Sequence, residues 1–585
     1  MAASANFDGQ IAGKQFVAYK DPSGGLNTKR DAHALDRNMA AASINMWPAY
    51  QNAIAKRPGS NFAITGNGAT GLGATGTTIV GTRWTVGGQS TTVLLAQNGR
   101  HLAYAAIGAS AWTPITTVMG AGAARIHVAQ IFDPVSAANV CFICNGVDQP
   151  WIWEGPGNTT MTQTSVAGGL PTNAGGSVGI TPRFVETFNA SLIYAGEPTA
   201  PTGVFISDPW FPQSFTQSAS SATNYPGSYQ PYFIGYDDGV AGGNITGVGA
   251  LQGSIIVIKE SAIYRGTFSN IYGAVYAFVW QCISPSRGFI APESIVMFDS
   301  FIAGLSIDGT YYTDGYQMVK FSADVPTFFD GSLTGYPAIC LQYPTAVAVR
   351  AGQRYLIWYD RGEPASPGTP SGYPTSGLWF DFDKPVASGL PEVGEMQGTT
   401  SSDGQTWAVG GACSLVGPYD TGLVAWTDPT QDRVAIFGRG FSDLGNPIAC
   451  TFAGPADMIA EIANPDPAAD GISPKTVHRA FLNVAAPIGL AYTFDVSIVT
   501  ELLAQTQAVA TANSPAAGSL IWGSGQWGMG VWGAAANQTA YFPLGFCPAQ
   551  TADGNIIQVM IEETSSNAWI LLGYKLEVSA RMPNL

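Results

Sequence analysis

From about residue 75 the chain keeps returning to one pattern. A strand-like run, apolar or alternating, meets a Gly, Asp or Asn turn, and a second aromatic-rich run follows. The plainest cases are TTVLLAQNGRHLAYA (91–105), NVCFICNGVDQPWIWEG (139–155), SLIYAGEPTAPTGVFISDPW (191–210), GSIIVIKESAIYRGTF (253–268) and SFIAGLSIDGTYYTDG (300–315). The theme returns in 353–383 and in GQTWAVGGACSLVGPYD (404–420). A spacing of about 45–60 residues is that of a four-stranded propeller blade. Asn98-Gly99, Asp308-Gly309, Asp314-Gly315 and Asp403-Gly404 stand at the hairpin turns. The pattern predicts an all-β chain, with a β-propeller of about six to eight blades over 75–435. Stacked sandwiches also give short strands at steady spacing. The propeller is preferred because each unit pairs a hairpin with a further strand without long crossovers, and because a closed ring protects strand edges.

After about residue 435 the alternating runs lengthen. IIQVMIEE (556–563) and YKLEVSA (574–580) alternate apolar and polar positions, as half-buried strands do. Residues 436–585 are therefore expected to form an antiparallel β-sandwich, and 1–74 a short N-terminal segment. The best helix candidate is TKRDAHALDRNMAAASINM (28–46), Ala-rich without Gly or Pro, followed by ADMIAEIA (456–463).

Composition narrows the function. Charged residues are 11%, against about 25% in an average soluble protein. An aromatic content of 11% argues against disorder. Acids outnumber bases, 40 to 25, for a net charge of −15. No secretory signal and no apolar run of membrane-spanning length is visible, and seven scattered cysteines do not form a disulfide framework. Synthesis in a reducing cytoplasm is expected, and so is life inside an assembly, since low charge and many strand edges invite association.

Chemical motifs are few. Cys141 and Cys144 form a CxxC with no second pair at zinc spacing, and in a strand they face opposite sides. The four histidines, 33, 101, 127 and 478, form no metal motif, and neither GxSxG nor a P-loop occurs. SSDGQTW (401–407) and SIDGTYY (306–312) approach the Asp-box turns of sialidase-type propellers but lack a residue between Asp and Gly. Such a site would also need clustered arginines, and Arg83, Arg125, Arg183, Arg265, Arg287 and Arg350 are spread along the chain. No catalytic residue, metal or cofactor is assigned. Trp522, Trp527 and Trp532 recur every five residues between glycines. They read as indoles filling a domain junction rather than as a sugar platform.

The stretch GGLNTKRDAHALDRNMAAASINMWPAYQNAIAKRPGS (24–60) is the densest basic segment. It resembles the N-terminal signature of the tail nozzle proteins of short-tailed bacteriophages, also called tail tubular protein B or packaged-DNA stabilisation protein. The match falls on Gly24, Gly25, Leu26 and Asn27, on Leu35, Asn38, Ala42 and Asn45, and on Lys56, Arg57, Pro58 and Gly59. NGVDQPWIWEG (145–155), FISDPWFPQSF (205–215), 245–266 and 287–322 are similar to later segments of that family.

The resemblance implies a propeller-containing subunit of a homo-hexameric ring in the virion tail. It would be made in the host cytoplasm, seated below the portal and tail adaptor proteins, and would close the DNA channel until infection; tail fibres or spikes are further partners. No enzymatic activity comes with the family. The alternative is a propeller enzyme or lectin acting on host surface glycans. The basic segment is interleaved with Asp31 and Asp36, so it is read as an interface or structural element and not as a DNA arm. Pro58 fixes its own φ, and Gly59 is expected to permit a turn. The acid excess predicts a lumen, with Asp237 and Asp238 contributing, that passes double-stranded DNA without tight binding.

Overall fold

The computed structural model describes residues 14–49, 53–64, 76–86, 89–122, 124–134, 136–173, 178–215, 232–235, 242–271, 275–332, 338–339, 345–360, 374–385, 389–398, 409–416, 420–428, 433–438, 442–443, 446–456, 475–487, 490, 492, 494–500, 503–509, 539–546, 552–554 and 556–580. The chain divides into two units. One holds 61–377 and 407–439; the other holds 1–60, 378–406 and 440–585. The three consecutive segments expected from the sequence are replaced by an interlaced division, in which the N-terminal segment joins the C-terminal one.

The first unit is a β-propeller. Seven strands open its repeats: Gly76–Val86, His127–Asp133, Phe184–Phe188, Ile245–Leu251, Val296–Met297, Val347–Ala351 and Gly411–Val416. Each of the first five begins a four-stranded antiparallel sheet whose strands follow in chain order. Val347–Ala351 pairs antiparallel with Arg354–Tyr359. Gly411–Val416 is followed in its sheet by Asp420–Asp428, Arg433–Phe437 and then Ser60–Ile64. The last blade is thus completed by a strand from near the start of the chain.

The opening strands pack against their neighbours around a ring, and Gly411–Val416 returns to Gly76–Val86. Apolar clusters fill the gaps between blades. Ile256, Ile258 and Ile263 of the fourth pack with Phe289, Ile302 and Tyr311 of the fifth. Two glycines allow this approach: a Cβ on Gly247 would lie 2.5 Å from Ile295 Cδ1, and one on Gly249 2.6 Å from Met297 Sδ.

The other unit is a β-sandwich. One sheet runs Met46–Ala49, Ala53–Lys56, Ile570–Ala580, Lys475–Pro487, Thr539–Phe546, with Lys14–Lys20 also on Ile570–Ala580 and Ala552–Gly554 on Lys475–Pro487. The other sheet includes Pro391–Gln397, Ala42–Ile44, Cys450–Ala453, Ile557–Glu563, Phe494–Thr500 and Leu503–Val509 in that order. The alternation in the sequence is realised here. Ile557, Val559 and Ile561 of one sheet and Leu571, Leu576 and Val578 of the other all enter a common core.

The helix expected over 28–46 does not form. Only Ala32–Ala34 makes a 3-10 turn, and Ala42–Ile44 is a strand. Asn27 Oδ1 accepts hydrogen bonds from the backbone N–H of Lys29 (3.0 Å) and Arg30 (3.3 Å), and Asn45 adopts φ +57. These local bonds and the sheet pairing override alanine's helix propensity. Most of 456–463 lies outside the described residues. The one α-helix among the described residues is Thr327–Asp330.

Because Lys14–Lys20, Ala42–Ile44 and Ala53–Lys56 are strands of the sandwich, residues 436–585 expressed alone should not fold. We expect no dispersed amide spectrum by NMR from that fragment, and recovery when residues 1–60 and 378–406 are restored.

Candidate functional site: charges across the propeller axis and behind the N-terminal signature

Two charged clusters stand out, one in each unit. In the propeller, His127 is the first residue of the second opening strand and Arg183 immediately precedes the third. Glu293 lies in the 3-10 turn Pro292–Ser294 ahead of the fifth. His127 Nε2 is 3.7 Å from Glu293 Oε1, an ion-pair distance beyond hydrogen bonding. Second and fifth blades are not neighbours in a ring of seven, so this contact crosses the axis. The His127 ring meets Phe184 edge-on, at 4.8 Å between centroids, and the Arg183 guanidinium lies 5.2 Å from the same ring.

Electrostatics tie the cluster together. Burial works to raise the Glu293 carboxyl, but His127, Arg125 and Arg183 outweigh it and hold it below the ordinary range. Burial lowers Arg183, with Arg125 adding to the shift and Glu293 opposing it. Burial also raises Glu186, against its bonds from Thr187 and the charge of His127. His127 Nε2, Arg183 Nε and Glu293 Oε1 are buried atoms without a hydrogen-bond partner. The arrangement sets two guanidinium groups and an imidazole against two carboxylates, so charge draws together the starts of blades on opposite sides of the axis. The sequence left Arg125 and Arg183 as scattered candidates; the fold brings them to one carboxylate. Their placement at the starts of successive repeats is the signal that an internal alignment of the blades would have exposed.

In the sandwich, Lys56 and Arg57 are buried, each against its own carboxylate. Lys56 Nζ bonds Glu563 Oε2 at 3.0 Å and the Ser565 carbonyl. Arg57 makes a two-pronged pair with Asp443, Nη1 to Oδ1 at 3.0 Å and Nη2 to Oδ2. Its Nε donates to Asn45 Oδ1 at 2.7 Å, and Nη2 donates to the Gln397 carbonyl at 3.0 Å. Asn45 Oδ1 also accepts from Gln397 N–H, while its Nδ2 donates to the Ala449 carbonyl at 2.7 Å. Trp569 Nε1 donates to Glu563 at 2.8 Å. Burial pushes the Cys450 thiol, close to both pairs, up to about 12.

The other signature positions pack nearby in sequence and space. Gly24 N–H bonds the Asn38 carbonyl at 2.8 Å, and a Cβ on Gly24 would sit 2.5 Å from that oxygen. Gly25 has φ +75, where a side chain is strained. Leu35 is buried. Pro58 is half-buried and Gly59 buried. Gly59 takes no left-handed φ, so the turn does not depend on glycine in the way expected.

Several other candidates have definite places. Cys141 and Cys144 belong to different apolar clusters on opposite faces of their strand, and burial raises both thiols. Asp308 is bound by Arg287 (3.3 and 3.1 Å) and by Tyr311 Oη (2.9 Å), with Lys320 at 3.7 Å. Among the described residues no group of three or more His, Cys, Asp or Glu side chains is placed to hold a metal. Trp522, Trp527, Trp532, Asp237, Asp238 and Asp403 lie outside the described residues. Among the described residues no helix is long and apolar enough to cross a membrane.

No protein-family model matches the chain, and no curated protein matches it. Among solved structures it is similar to the N-terminal domain of Nup159, 7% identical, covering 68% of this chain and 98% of that one, with a TM-score of 0.34. BBS1N in complex with ARL6DN is 9% identical, with 66% and 99% covered and a TM-score of 0.36. The extracellular domain of a hybrid two-component system from B. thetaiotaomicron is 10% identical, with 80% and 56% covered and a TM-score of 0.36. At these TM-scores the likenesses carry no argument, and the architecture rests on the sheets themselves.

Lys56→Met strands the Glu563 carboxylate and should cost about 3–5 kcal/mol in urea unfolding. Lys56→Met combined with Glu563→Gln should recover over half of that loss, a coupling that simple additivity would contradict. For the axial cluster, a carboxyl held below its ordinary value stabilises the fold above the unfolded pKa and ceases to do so as pH falls through the folded value. Glu293→Gln should therefore destabilise by about 1–3 kcal/mol at pH 7. The difference from wild type should begin to shrink as pH falls through the ordinary carboxyl range, near about pH 4, and vanish only below the lower folded value. Glu186, shifted the other way, should give no loss at pH 7 as Glu186→Gln.

Proposed function

We propose that the protein is a structural virion component, a subunit of the tail nozzle of a short-tailed bacteriophage that closes the DNA channel and opens for genome ejection. The observation that carries this reading is the N-terminal signature. Its glycines, Asn45, Lys56 and Arg57 form hydrogen bonds, close contacts and ion pairs inside the β-sandwich unit. A structural role for these spaced positions supports the reading of the segment as a signature and not as a string of basic residues. Lys56 and Arg57 are spent on internal carboxylates, which supports reading the segment as a structural element and not as a DNA arm.

Charge supports the same reading. Only 25 basic residues face 40 acids, and Arg287, Lys320 and Arg350 are also paired within the chain. With acids in excess by 15 (40 − 25), a channel built from such subunits repels phosphates and lets DNA slide. Electron microscopy of the purified protein should show six-fold rings, and antibody labelling of virions should mark the tail. Double-stranded DNA should bind weakly at physiological salt. Monomers with no ring at any concentration, or tight DNA binding with a steep negative salt slope, would overturn the proposal.

A further inference from the structure

At the end of the propeller ring opposite His127 and Arg183, where the opening strands finish, the first hairpins of three successive blades converge. Arg83, Trp84, Gln130, Phe132, Asn139 and Asn189 are among the residues that enclose an open cavity of about 770 Å³. At its rim stands the turn Asp208-Pro209-Trp210-Phe211. Trp210 N–H bonds the carbonyl of Ala190, a cavity residue, at 2.9 Å. Gln213 Nε2 donates to Asp133 Oδ2 at 3.2 Å, next to Phe132. The turn is thus tied to the hairpins of both the second and third blades.

The rim is unusual for what it shows to water. Trp210 is 63% exposed, Phe211 55% and Phe132 47%. Trp210 is the one exposed tryptophan among the described side chains. Its backbone is held at φ +68, behind Pro209 and within a turn closed by Phe211 N–H to the Asp208 carbonyl at 3.1 Å. That is the third position of a type II turn, which glycine or asparagine normally takes. An indole there is strained in the backbone and unburied in the side chain, so neither folding term accounts for it. The strain marks a side chain placed for contact with something else.

The surroundings narrow the ligand. A pyranose has an apolar C–H face that stacks on an indole and an edge of hydroxyl groups that hydrogen-bond amides and guanidinium groups. The cavity offers both, with the amides of Asn139 and Asn189 and the guanidinium of Arg83 beside aromatic rings. Single-stranded nucleic acid also stacks on aromatic side chains but needs a cationic groove. Here Arg83 is matched by Glu154 in the lining, so the site has no cationic excess. We propose that this cavity is a carbohydrate-binding site, in which one sugar ring of a bacterial surface glycan stacks on Trp210 and directs its hydroxyls to Arg83, Asn139 and Asn189. The proposal does not rest on the nozzle reading.

The test uses the purified full-length protein on a printed array of bacterial O-polysaccharides, capsular polysaccharides and peptidoglycan fragments. The wild type is expected to retain at least one of these glycans, with little dependence on salt. Trp210→Gly should weaken that binding at least tenfold and raise the thermal midpoint, because glycine relieves the strain at φ +68. Phe132→Ala, a change at a half-exposed side chain, should also weaken binding, and it decides the matter if Trp210→Gly melts early. The proposal is overturned if the wild type retains no glycan on the array. It is also overturned if both variants bind like wild type, or if a dT20 oligonucleotide is retained and no glycan is.

Discussion

Two adjacent cations, Lys56 and Arg57, are each removed entirely from water, and the sandwich is arranged around that fact. A buried cation without its anion costs several kcal/mol, so a misplaced strand here has no tolerable alternative. Glu563 at the end of one strand and Asp443 in another segment must arrive at their positions, as must Asn45, which links Arg57 to Gln397. A net gain in stability over an apolar pair is not implied by such an arrangement. What it enforces is a unique register for strands drawn from both ends of the chain.

The propeller solves a different problem by different means. Its blades meet through apolar side chains and glycines, and such contacts are tolerant of small shifts. Charge sits at the axis, where Glu293 faces His127 across the ring, in exposed pairs such as Arg287 with Asp308, and in buried groups such as Asp133, Glu197 and Lys259. Exposed pairs are screened and contribute little. The axial group is largely out of solvent, and protonation of its Glu293 carboxyl acts on His127, Arg125 and Arg183 together.

Much of the fold could be read in advance because strand periodicity is local. The repeat spacing marked the blades, and the alternation of Ile557, Val559 and Ile561 marked a sandwich strand. What was not local was not legible. Nothing in residues 14–56 announces that they pair with 450–453 and 570–580. Turn chemistry was read one residue out of place at Asp308-Gly309: Ser306 pairs with Gly309, so the two-residue turn is Ile307-Asp308. The buried state of Lys56 and Arg57 was hidden because a basic dipeptide looks solvated until its anions, hundreds of residues away, are placed. The axial cluster of residues 125, 127, 183, 186 and 293 is likewise drawn from separate repeats, and only their common place at the starts of blades hints at it.

The interlacing of the chain bears on its synthesis. Residues 14–56 leave the ribosome hundreds of residues before their sheet partners in 450–453 and 570–580. The strand Ser60–Ile64 likewise waits for Arg433–Phe437 before it can close its blade. Such long-range pairing is slow, because loop closure must precede any reward from contact. Meanwhile unpaired strand edges stand open to other chains. A nascent chain of this kind has to keep its earlier strands out of trouble until their later partners exist, which makes translation speed and chaperone supply part of its physical chemistry.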